Sequence, residues 1–326
     1  MKADFESLVE KFKAGESLAL ARAISLVENG EMVAGEFLER VGERSACARR
    51  IGITGPPGAG KSTLIAALTS CFGTEEKVGI VLVDPTSPFS GGALLGDRIR
   101  MAGLSQNSDF FIRSMASRGS LGGLFGHSED VMDLMSAFGF TRIVLETIGV
   151  GQAELEVNNV VDSVIVVLVP ESGDGIQAMK AGLMEVADLF VINKSDRPGA
   201  DCFLADLEVA LDLFPEKSDD ETGLSWKVPI VKTIATVGEG IQDLLGYLED
   251  HHNFLQDSGK IKTLREERIV DRIRAEISRQ VHKSIWTNPE VASVLTSGLR
   301  QIDSGGETVH SVAENMIKLI TKKEDT

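Results

Sequence analysis

The chain is poor in cysteine and in basic residues and has no long apolar run, and each shortage excludes a class of protein. Its cysteines, Cys47, Cys71 and Cys202, are scattered and odd in number. They predict no disulfide framework, which suits a reducing compartment. No C-x-x-C pair or histidine-rich tract indicates a metal store. The pair His251-His252 lies in an acidic helical stretch, which favours a solvated face over a metal site.

Basic residues are outnumbered, with 33 Lys and Arg against 49 Asp and Glu and a net charge of −16. Sequence-independent nucleic-acid binders normally have the opposite sign, so we expect no nucleic-acid partner. The most apolar run, Val164–Val169, is far too short to cross a bilayer, so we expect no membrane association. The start of the chain shows neither a signal peptide nor a transit sequence, and we expect a cytoplasmic protein.

The first 47 residues are predicted to form an N-terminal helical cap. Apolar residues from Phe5 to Phe12 follow the i, i+3, i+4, i+7 spacing of an amphipathic helix. Ala19–Val27 repeats that pattern and ends near Asn29-Gly30, a plausible helix stop. Gly35–Cys47 predicts a third helix that leads into the first strand.

Residues 48–253 alternate short strands with helical segments. Several strands are continuous runs of Val, Ile and Leu, as in strands buried on both faces. This order predicts an α/β fold with a doubly wound, mostly parallel sheet, whose ligand binds at the carboxyl ends of the strands. The predicted strands are Arg50–Thr54, Val78–Val83, Phe110–Met115, Arg142–Glu146, Ser163–Val169, Leu189–Asn193 and Pro229–Ala235.

Residues 254–326 are predicted to form a helical C-terminal arm. Ile269, Ile273, Ile277 and Val281 recur every fourth residue in the first of its helices. Such an apolar seam packs either on its own domain or against another molecule. We favour an association surface, because few residues beyond the seam are available for an independent core.

Residues 55–63 form a complete phosphate-binding loop of the form G-x-x-x-x-G-K-S. It lies between a predicted strand and a segment of helical composition, which is the context that the motif needs. Its glycines let backbone N–H groups point at a phosphate, and the helix N-terminus adds positive charge. Lys61 is predicted to bridge the β- and γ-phosphates, and Ser62 to bind Mg²⁺. The predicted nucleotide contacts are Gly55, Pro56, Pro57, Gly58, Ala59, Gly60, Lys61, Ser62 and Thr63.

Asn193-Lys194-Ser195-Asp196 ends a later apolar strand and has the N-K-x-D form used by GTPases. A buried Asp196 carboxylate accepts hydrogen bonds from guanine N1–H and the N2 amino group and rejects adenine, which offers neither. Alone, the motif also fits a turn cap. The last base-contacting loop is expected at Ile234, Ala235 and Thr236.

Glu146-Thr147-Ile148-Gly149 ends another strand and has the pattern of a γ-phosphate sensor. Glu146 is predicted to reach Mg²⁺, and the Gly149 N–H to hydrogen-bond the γ-phosphate. Gln152 is a candidate for orienting water, although its position is not the usual one. Asp84 and Asp97 are further predicted Mg²⁺ ligands, Asp97 being alternatively a surface charge paired with a nearby arginine.

These motifs occur in a specific order: GPPGAGKST at 55–63, VDPTS at 83–87, LGDRIRM at 95–101, IRSMASRG at 112–119, ETIGVGQ at 146–152 and NKSD at 193–196. From about residue 15 onward the chain resembles the MeaB/ArgK/MMAA family, the GTPase chaperones of methylmalonyl-CoA mutase. The resemblance implies a homodimeric, Mg²⁺-dependent P-loop GTPase that converts GTP to GDP and dimerises through its C-terminal arm.

The resemblance further implies an adenosylcobalamin-dependent acyl-CoA mutase as partner, with a cobalamin adenosyltransferase as a second one. In the family, the GTPase gates cofactor delivery and protects or reactivates the mutase. The family's mobile signalling loop corresponds to Pro170–Lys180. Departures at Glu171-Ser172, Pro88-Phe89 and Ile234 leave the mutase and the details of signalling open.

Three other functions are weighed against this one. An ATPase or kinase of amino-acid transport is disfavoured by Asp196. A nickel-delivery GTPase shares the fold but should carry a Cys/His site that the sequence does not show. A non-enzymatic scaffold is disfavoured because the phosphate-loop and sensor residues are all present. No motif contains an obvious arginine finger, and the candidates are Arg98, Arg113 and Arg118.

Overall fold

A computed structural model of the chain describes residues 2–42, 48–73, 76–85, 110–117, 126–147, 153–170, 181–219 and 222–321. The chain divides into two compact units, Met1–Arg268 and Ile269–Thr326. The first unit contains the β-strands, and the second consists of helices in its described part.

A seven-stranded parallel sheet forms the centre of the first unit, in the order β3-β2-β4-β1-β5-β6-β9. Every residue of β4, β5 and β6 is buried, because the Val, Ile and Leu runs in these strands are covered on both faces. The strands are β1 (Arg49–Thr54), β2 (Val78–Pro85), β3 (Phe110–Ser117), β4 (Arg142–Thr147), β5 (Ser163–Leu168), β6 (Leu189–Asn193) and β9 (Ile230–Thr233), with β7 (Lys217–Ser218) and β8 (Ser225–Trp226) forming a separate antiparallel pair.

Helices cover both faces of this sheet. The helices of the first unit are α1 (Lys2–Lys13), α2 (Ser17–Glu28), α3 (Ala34–Val41), α4 (Lys61–Thr69), α5 (Gly126–Phe138), α6 (Ala153–Glu156), α7 (Ala181–Val186), α8 (Ala200–Leu211), α9 (Ile241–Asp257) and the beginning of α10 (Lys260–Trp286). The three N-terminal helices share one apolar core with α5 and one face of the sheet, where the Phe12 ring lies 5.1 Å from those of Phe37 and Phe138. Helices α4 and α9 share the second core.

The predicted α/β doubly wound, parallel fold with helical N- and C-terminal parts is confirmed. Several element bounds differ from the predicted ones, and the third helix and the last strand differ most. The third helix ends at Val41 instead of continuing to Cys47, because Gly42 takes φ 80° and stops it. The last strand of the sheet is Ile230–Thr233 and is shorter than the predicted Pro229–Ala235. The short β7–β8 pair was missed, since two-residue strands carry no periodicity to detect.

The prediction of a solvated face for His251 and His252 was wrong, because both side chains are buried. His251 Nδ1 lies 2.8 Å from Ser163 Oγ, and Nε2 lies 3.4 Å from Asp188 Oδ1. The Trp226 ring packs on the imidazole at a centroid distance of 4.8 Å. His251 continues the buried face of α9, whereas Asp250 beside it is exposed and Glu249 is half-buried in ion pairs with Arg49 and Arg142.

The buried His251 predicts a loss of stability in mild acid. Burial lowers the pKa of His251; Asp188 and Asp162 oppose that effect, and Lys217 adds to it. The unfolded chain therefore takes up the proton first, and stability is lost as the pH falls from about 6.5 toward the folded-state pKa. Urea unfolding between pH 5 and 8 should show this loss. His251→Gln should reduce its slope, with buried His252 contributing the remainder, whereas the exposed control His282→Gln should not; an unchanged slope in His251→Gln would refute the assignment.

The beginning of α10 is anchored to the sheet by a buried ion-pair cluster. Arg268 Nη1 donates to Asp162 Oδ1 at 2.8 Å, Arg268 Nη2 donates to the Val161 carbonyl, and Arg265 Nη2 lies 3.2 Å from Asp162 Oδ2. Burial raises the pKa of Asp162, but the two arginines outweigh it and hold that pKa below its usual range. The carboxylate therefore remains charged and fixes this turn of α10 against the start of β5.

In the second unit, α11 (Pro289–Asp303) packs against α12 (Val309–Thr321). Gly298 lets the two helices approach closely, because a Cβ there would lie 2.6 Å from Val312 Cγ1. The predicted seam on α10 is solvent-exposed: Ile269, Ile273, Ile277 and Val281 are 48–56% exposed. Among the described helices of the chain, none is both long enough and apolar enough to cross a membrane.

Candidate functional site

The phosphate loop joins β1 to α4 at the carboxyl edge of the sheet. Gly55, Gly58 and Gly60 have φ angles of 135°, 77° and 89°, which side-chain-bearing residues rarely adopt. A Cβ on Gly55 would lie 2.1 Å from the Val167 carbonyl oxygen of β5, so the loop begins in direct contact with a neighbouring strand. Helix α4 then starts at Lys61, which places a helix N-terminus at the end of the loop.

Lys61 is folded back over this loop. Its Nζ donates to the Gly55 carbonyl at 2.7 Å and to the Pro56 carbonyl at 3.1 Å, and the side chain is buried. The ammonium is therefore held over the loop by hydrogen bonds to two neutral backbone carbonyls. Phosphate oxygens are stronger acceptors for a cation than peptide carbonyls, so this group is placed to exchange one for the other.

Ser62 and Glu146 meet beside the loop. Ser62 Oγ donates to Glu146 Oε1 at 2.9 Å, and both side chains are buried. Strand pairing causes this meeting, because Glu146 of β4 lies in register with Ile53 of β1, two residues before the loop begins. A hydroxyl and a carboxylate oxygen at this distance form the kind of donor set that Mg²⁺ prefers. The residues present therefore fit this metal.

The other predicted sensor and metal residues are only partly described. Asp84 is the penultimate residue of β2, at the same edge of the sheet, and its side chain lies outside the described residues. Asp97, Gly149 and Gln152 also lie outside them, as does most of the predicted signalling loop Pro170–Lys180. Within the described ranges, no group of three or more His, Cys, Asp or Glu side chains could hold a metal ion.

Asn193 joins the phosphate loop to the base-contacting loops. Its Nδ2 donates to the Ala59 carbonyl at 2.8 Å, while Oδ1 accepts from Thr233 Oγ1 at 3.1 Å and from the Ala235 N–H at 3.2 Å. The side chain is buried, and both the nitrogen and the oxygen of its amide form hydrogen bonds. One residue thus fixes β6, β9 and the phosphate loop relative to each other.

Lys194 makes the second connection. It adopts φ 57°, and its Nζ donates to the Gly58 carbonyl at 2.8 Å, so the side chain spans the gap between the two loops. Of the predicted base contacts, Ile234 is half-buried, Ala235 is buried and Thr236 is exposed. Asp196, which was expected to be buried, lies exposed in the turn that follows β6. Its carboxylate is therefore open to solvent in this structure.

Arg113 does not belong to the site. Its guanidinium donates to Ser25 Oγ at 3.2 Å and to the Glu28 carboxylate of α2, so it joins the middle of β3 to the N-terminal cap. These contacts give Arg113 a structural role between β3 and α2. The other two candidates, Arg98 and Arg118, lie outside the described residues.

Sequence reasoning also missed a buried pair of hydroxyls. Thr147 Oγ1 donates to Thr54 Oγ1 at 2.8 Å, and the two side chains are 1% and 0% exposed. The sequence offered one indication of this pair, since Thr54 and Thr147 are each the polar last residue of an apolar strand. Nothing in the sequence indicated that these two strands are neighbours.

Comparisons with known proteins agree with this geometry. Residues 20–290 match a family model described as methylmalonyl-CoA mutase-associated GTPase MeaB. A relative from Pyrococcus abyssi, whose name describes a GTPase, is 47% identical over 274 residues that cover 84% of each chain. The Escherichia coli protein named GTPase ArgK is 33% identical over 290 residues, which cover 86% of each chain. The crystal structure of a LAO/AO transport system kinase superposes with a TM-score of 0.71 at 26% identity, covering 98% of this chain and 99% of its own.

Proposed function

Because the chain belongs to the MeaB family of GTPases, we propose that it is the Mg²⁺-dependent GTPase chaperone of an adenosylcobalamin-dependent acyl-CoA mutase, in the first place methylmalonyl-CoA mutase. The observation that supports it best is the joined nucleotide site. Asn193 and Lys194 of the guanine motif bond to the Ala59 and Gly58 carbonyls of the phosphate loop, beside the Ser62–Glu146 pair.

Each part of that site has a role in the proposed hydrolysis of GTP. Lys61 contacts the transferred phosphoryl group and stabilises the charge that develops on it. Asp196 and the 234–236 loop hold the guanine, and Asn193 keeps both loops at a fixed distance from the phosphates. When Mg²⁺ is bound, Ser62 and Glu146 would hold it, and it would neutralise charge on the β- and γ-phosphate oxygens.

The proposed partner comes from the family. The matched family is described as associated with methylmalonyl-CoA mutase. Hydrolysis of GTP would switch the GTPase in such a complex between a GTP-bound and a GDP-bound state. We propose that the GTP state and the GDP state bind the mutase differently and thereby gate delivery of adenosylcobalamin from an adenosyltransferase. Reciprocity must hold for the two equilibria: if GTP changes the affinity for the mutase, the mutase changes the affinity for GTP by the same factor.

The test uses the full chain and the mutase of the same organism. We expect the pure proteins to form a complex in sedimentation velocity, with affinities that differ between GDP and a non-hydrolysable GTP analogue, and the mutase to change the rate of GTP hydrolysis. Lys61→Ala serves as the control that binds the mutase but hydrolyses GTP far more slowly. Absence of a complex in both nucleotide states, together with unchanged hydrolysis, would reject the partner while leaving the GTPase assignment intact.

We propose in addition that the chain is a homodimer formed through α10. The support is the row of apolar side chains on that helix, each about half exposed in the single chain: Ile269, Ile273, Ile277 and Val281. A helix face of this kind is a common association surface, since a second copy covers it and removes the apolar area from water.

Charges placed on this seam should therefore break the dimer. We expect the double variant Ile273→Asp/Ile277→Asp to sediment as a monomer and to keep its affinity for GDP, because both residues belong to the second unit, whereas the nucleotide motifs belong to the first. Ser278→Asp, on the same helix but outside the seam, is the matched control and should remain dimeric. A double variant that still sediments as a dimer would place the interface elsewhere.

A further inference from the structure

Two hydrogen bonds to the end of β4 enclose the phosphate loop. At the start of the loop, Thr147 Oγ1 of β4 donates to Thr54 Oγ1 of β1 at 2.8 Å. Just beyond its end, Ser62 Oγ donates to Glu146 Oε1 of β4 at 2.9 Å. Because Glu146 and Thr147 are consecutive, the loop from Gly55 to Lys61 lies inside a ring of covalent and hydrogen bonds that is closed by the end of β4.

The two bonds lie on opposite faces of the sheet. Successive residues of a strand point to opposite sides, so Glu146 faces α4 and Thr147 faces away from it. On that second face the register neighbours of the two threonines are Val166 of β5 and Val83 of β2, both fully or almost fully buried. The hydroxyl pair is thus buried among aliphatic side chains.

Such a pair adds little to the stability of the fold. Replacing both partners of a buried hydrogen bond by apolar groups of the same shape is close to neutral, and valine has the shape of threonine. Two valines would fill the same space but would not hold the ends of β1 and β4 in one alignment. A hydrogen bond of 2.8 Å limits how far the ends of β1 and β4 slide past each other, and a catalytic arrangement has to be held to within about 0.5 Å.

The Ser62–Glu146 bond is unsuited to this role. These two groups are the proposed Mg²⁺ ligands, so a metal ion competes with the bond between them. The threonines lie on the other face and are not ligands in that proposal. We infer that Thr54 and Thr147 are positioning residues for GTP hydrolysis, whose hydroxyl pair keeps the sensor end of β4 aligned with the phosphate loop. This inference rests on the GTPase activity of the family, and not on the mutase proposal.

The test compares variants that separate the hydroxyl from the packing. Thr147→Val and Thr54→Val keep the shape and lose the bond, and we expect each to lower kcat for GTP about three- to tenfold. KM for GTP and the Kd for GDP should stay within about twofold, since the hydroxyl pair is inferred to act on the transition state and to leave nucleotide binding in the ground state unchanged. Thr147→Ser keeps the hydroxyl and loses a methyl group, so it should retain kcat to within about twofold even though it also loses some stability in urea.

The double variant and a control complete the design. Thr54→Val/Thr147→Val should be no slower than either single variant, because both remove the same bond. Thr69→Val is the matched control: Thr69 is equally buried, and its hydroxyl bonds to the Ile65 carbonyl of its own helix, away from the nucleotide site. Should one valine variant fail to fold, the other one carries the test.

The inference is overturned by any of three results. The first is wild-type kcat in the valine variants. The second is a loss in Thr147→Ser as large as that in Thr147→Val, which would make the effect one of packing. The third is additive losses in the double variant, which would show that the two hydroxyls act independently.

Discussion

Lys61→Ala is expected to lower the rate of GTP hydrolysis by about 10²–10³-fold, the range found for a donor that stabilises transition-state charge. Lys61 is buried over the phosphate loop, and its Nζ bonds to two loop carbonyls. The interaction between the ammonium and the phosphoryl group becomes stronger as charge develops on that group in the transition state. Removing it should therefore lower kcat more than it weakens nucleotide binding. GDP should still bind, because the loop backbone and the guanine contacts remain.

Single-turnover hydrolysis and GDP calorimetry measure the two effects separately. Lys77→Ala, an exposed lysine outside the site, is the control and should match the wild type in both measurements. Lys61→Arg should remain impaired, since a planar guanidinium differs from an ammonium in shape and in bonding geometry. A Lys61→Ala protein that hydrolyses GTP at the wild-type rate would show that the assignment of this lysine is wrong.

Asp196→Asn is expected to weaken GDP binding by about 10–100-fold, which corresponds to the roughly 1.5–3 kcal/mol of hydrogen bonds to a charged group. The wild-type carboxylate accepts from guanine N1–H and the N2 amino group, whereas an amide presents one donor and one acceptor. The variant should gain affinity for xanthine nucleotides, whose carbonyl oxygen replaces the amino group. Adenine nucleotides should bind poorly to both proteins.

The exposure of Asp196 makes this experiment clean. Its side chain lies in an exposed turn, so the substitution should leave the urea midpoint unchanged, and any loss of binding reports on the base contact. Asp243→Asn, an exposed acid in the first turn of α9, is the matched control. Equal wild-type affinity for ADP and GDP would remove guanine specificity and would favour the alternative of an ATPase or kinase.

The sequence by itself determined the fold class and was enough to predict the chemistry of the nucleotide site. Strands of continuous Val, Ile and Leu, alternating with helices, were enough to predict a buried parallel sheet, and all seven of its strands were located to within a few residues. The phosphate loop and the N-K-S-D segment were recognisable because each motif is local. Its residues are adjacent in the chain, and a strand before it and a helix or turn after it set its geometry.

Only the tertiary structure decided what depends on distant segments meeting. Asn193 bonds to Ala59, Thr233 and Ala235, and Thr147 bonds to Thr54, because the order of strands places these chain segments side by side. Local sequence does not encode that order. Burial follows the same logic: His251 has acidic neighbours in sequence and is nevertheless enclosed, since the packed face of α9 is selected by the sheet beneath it.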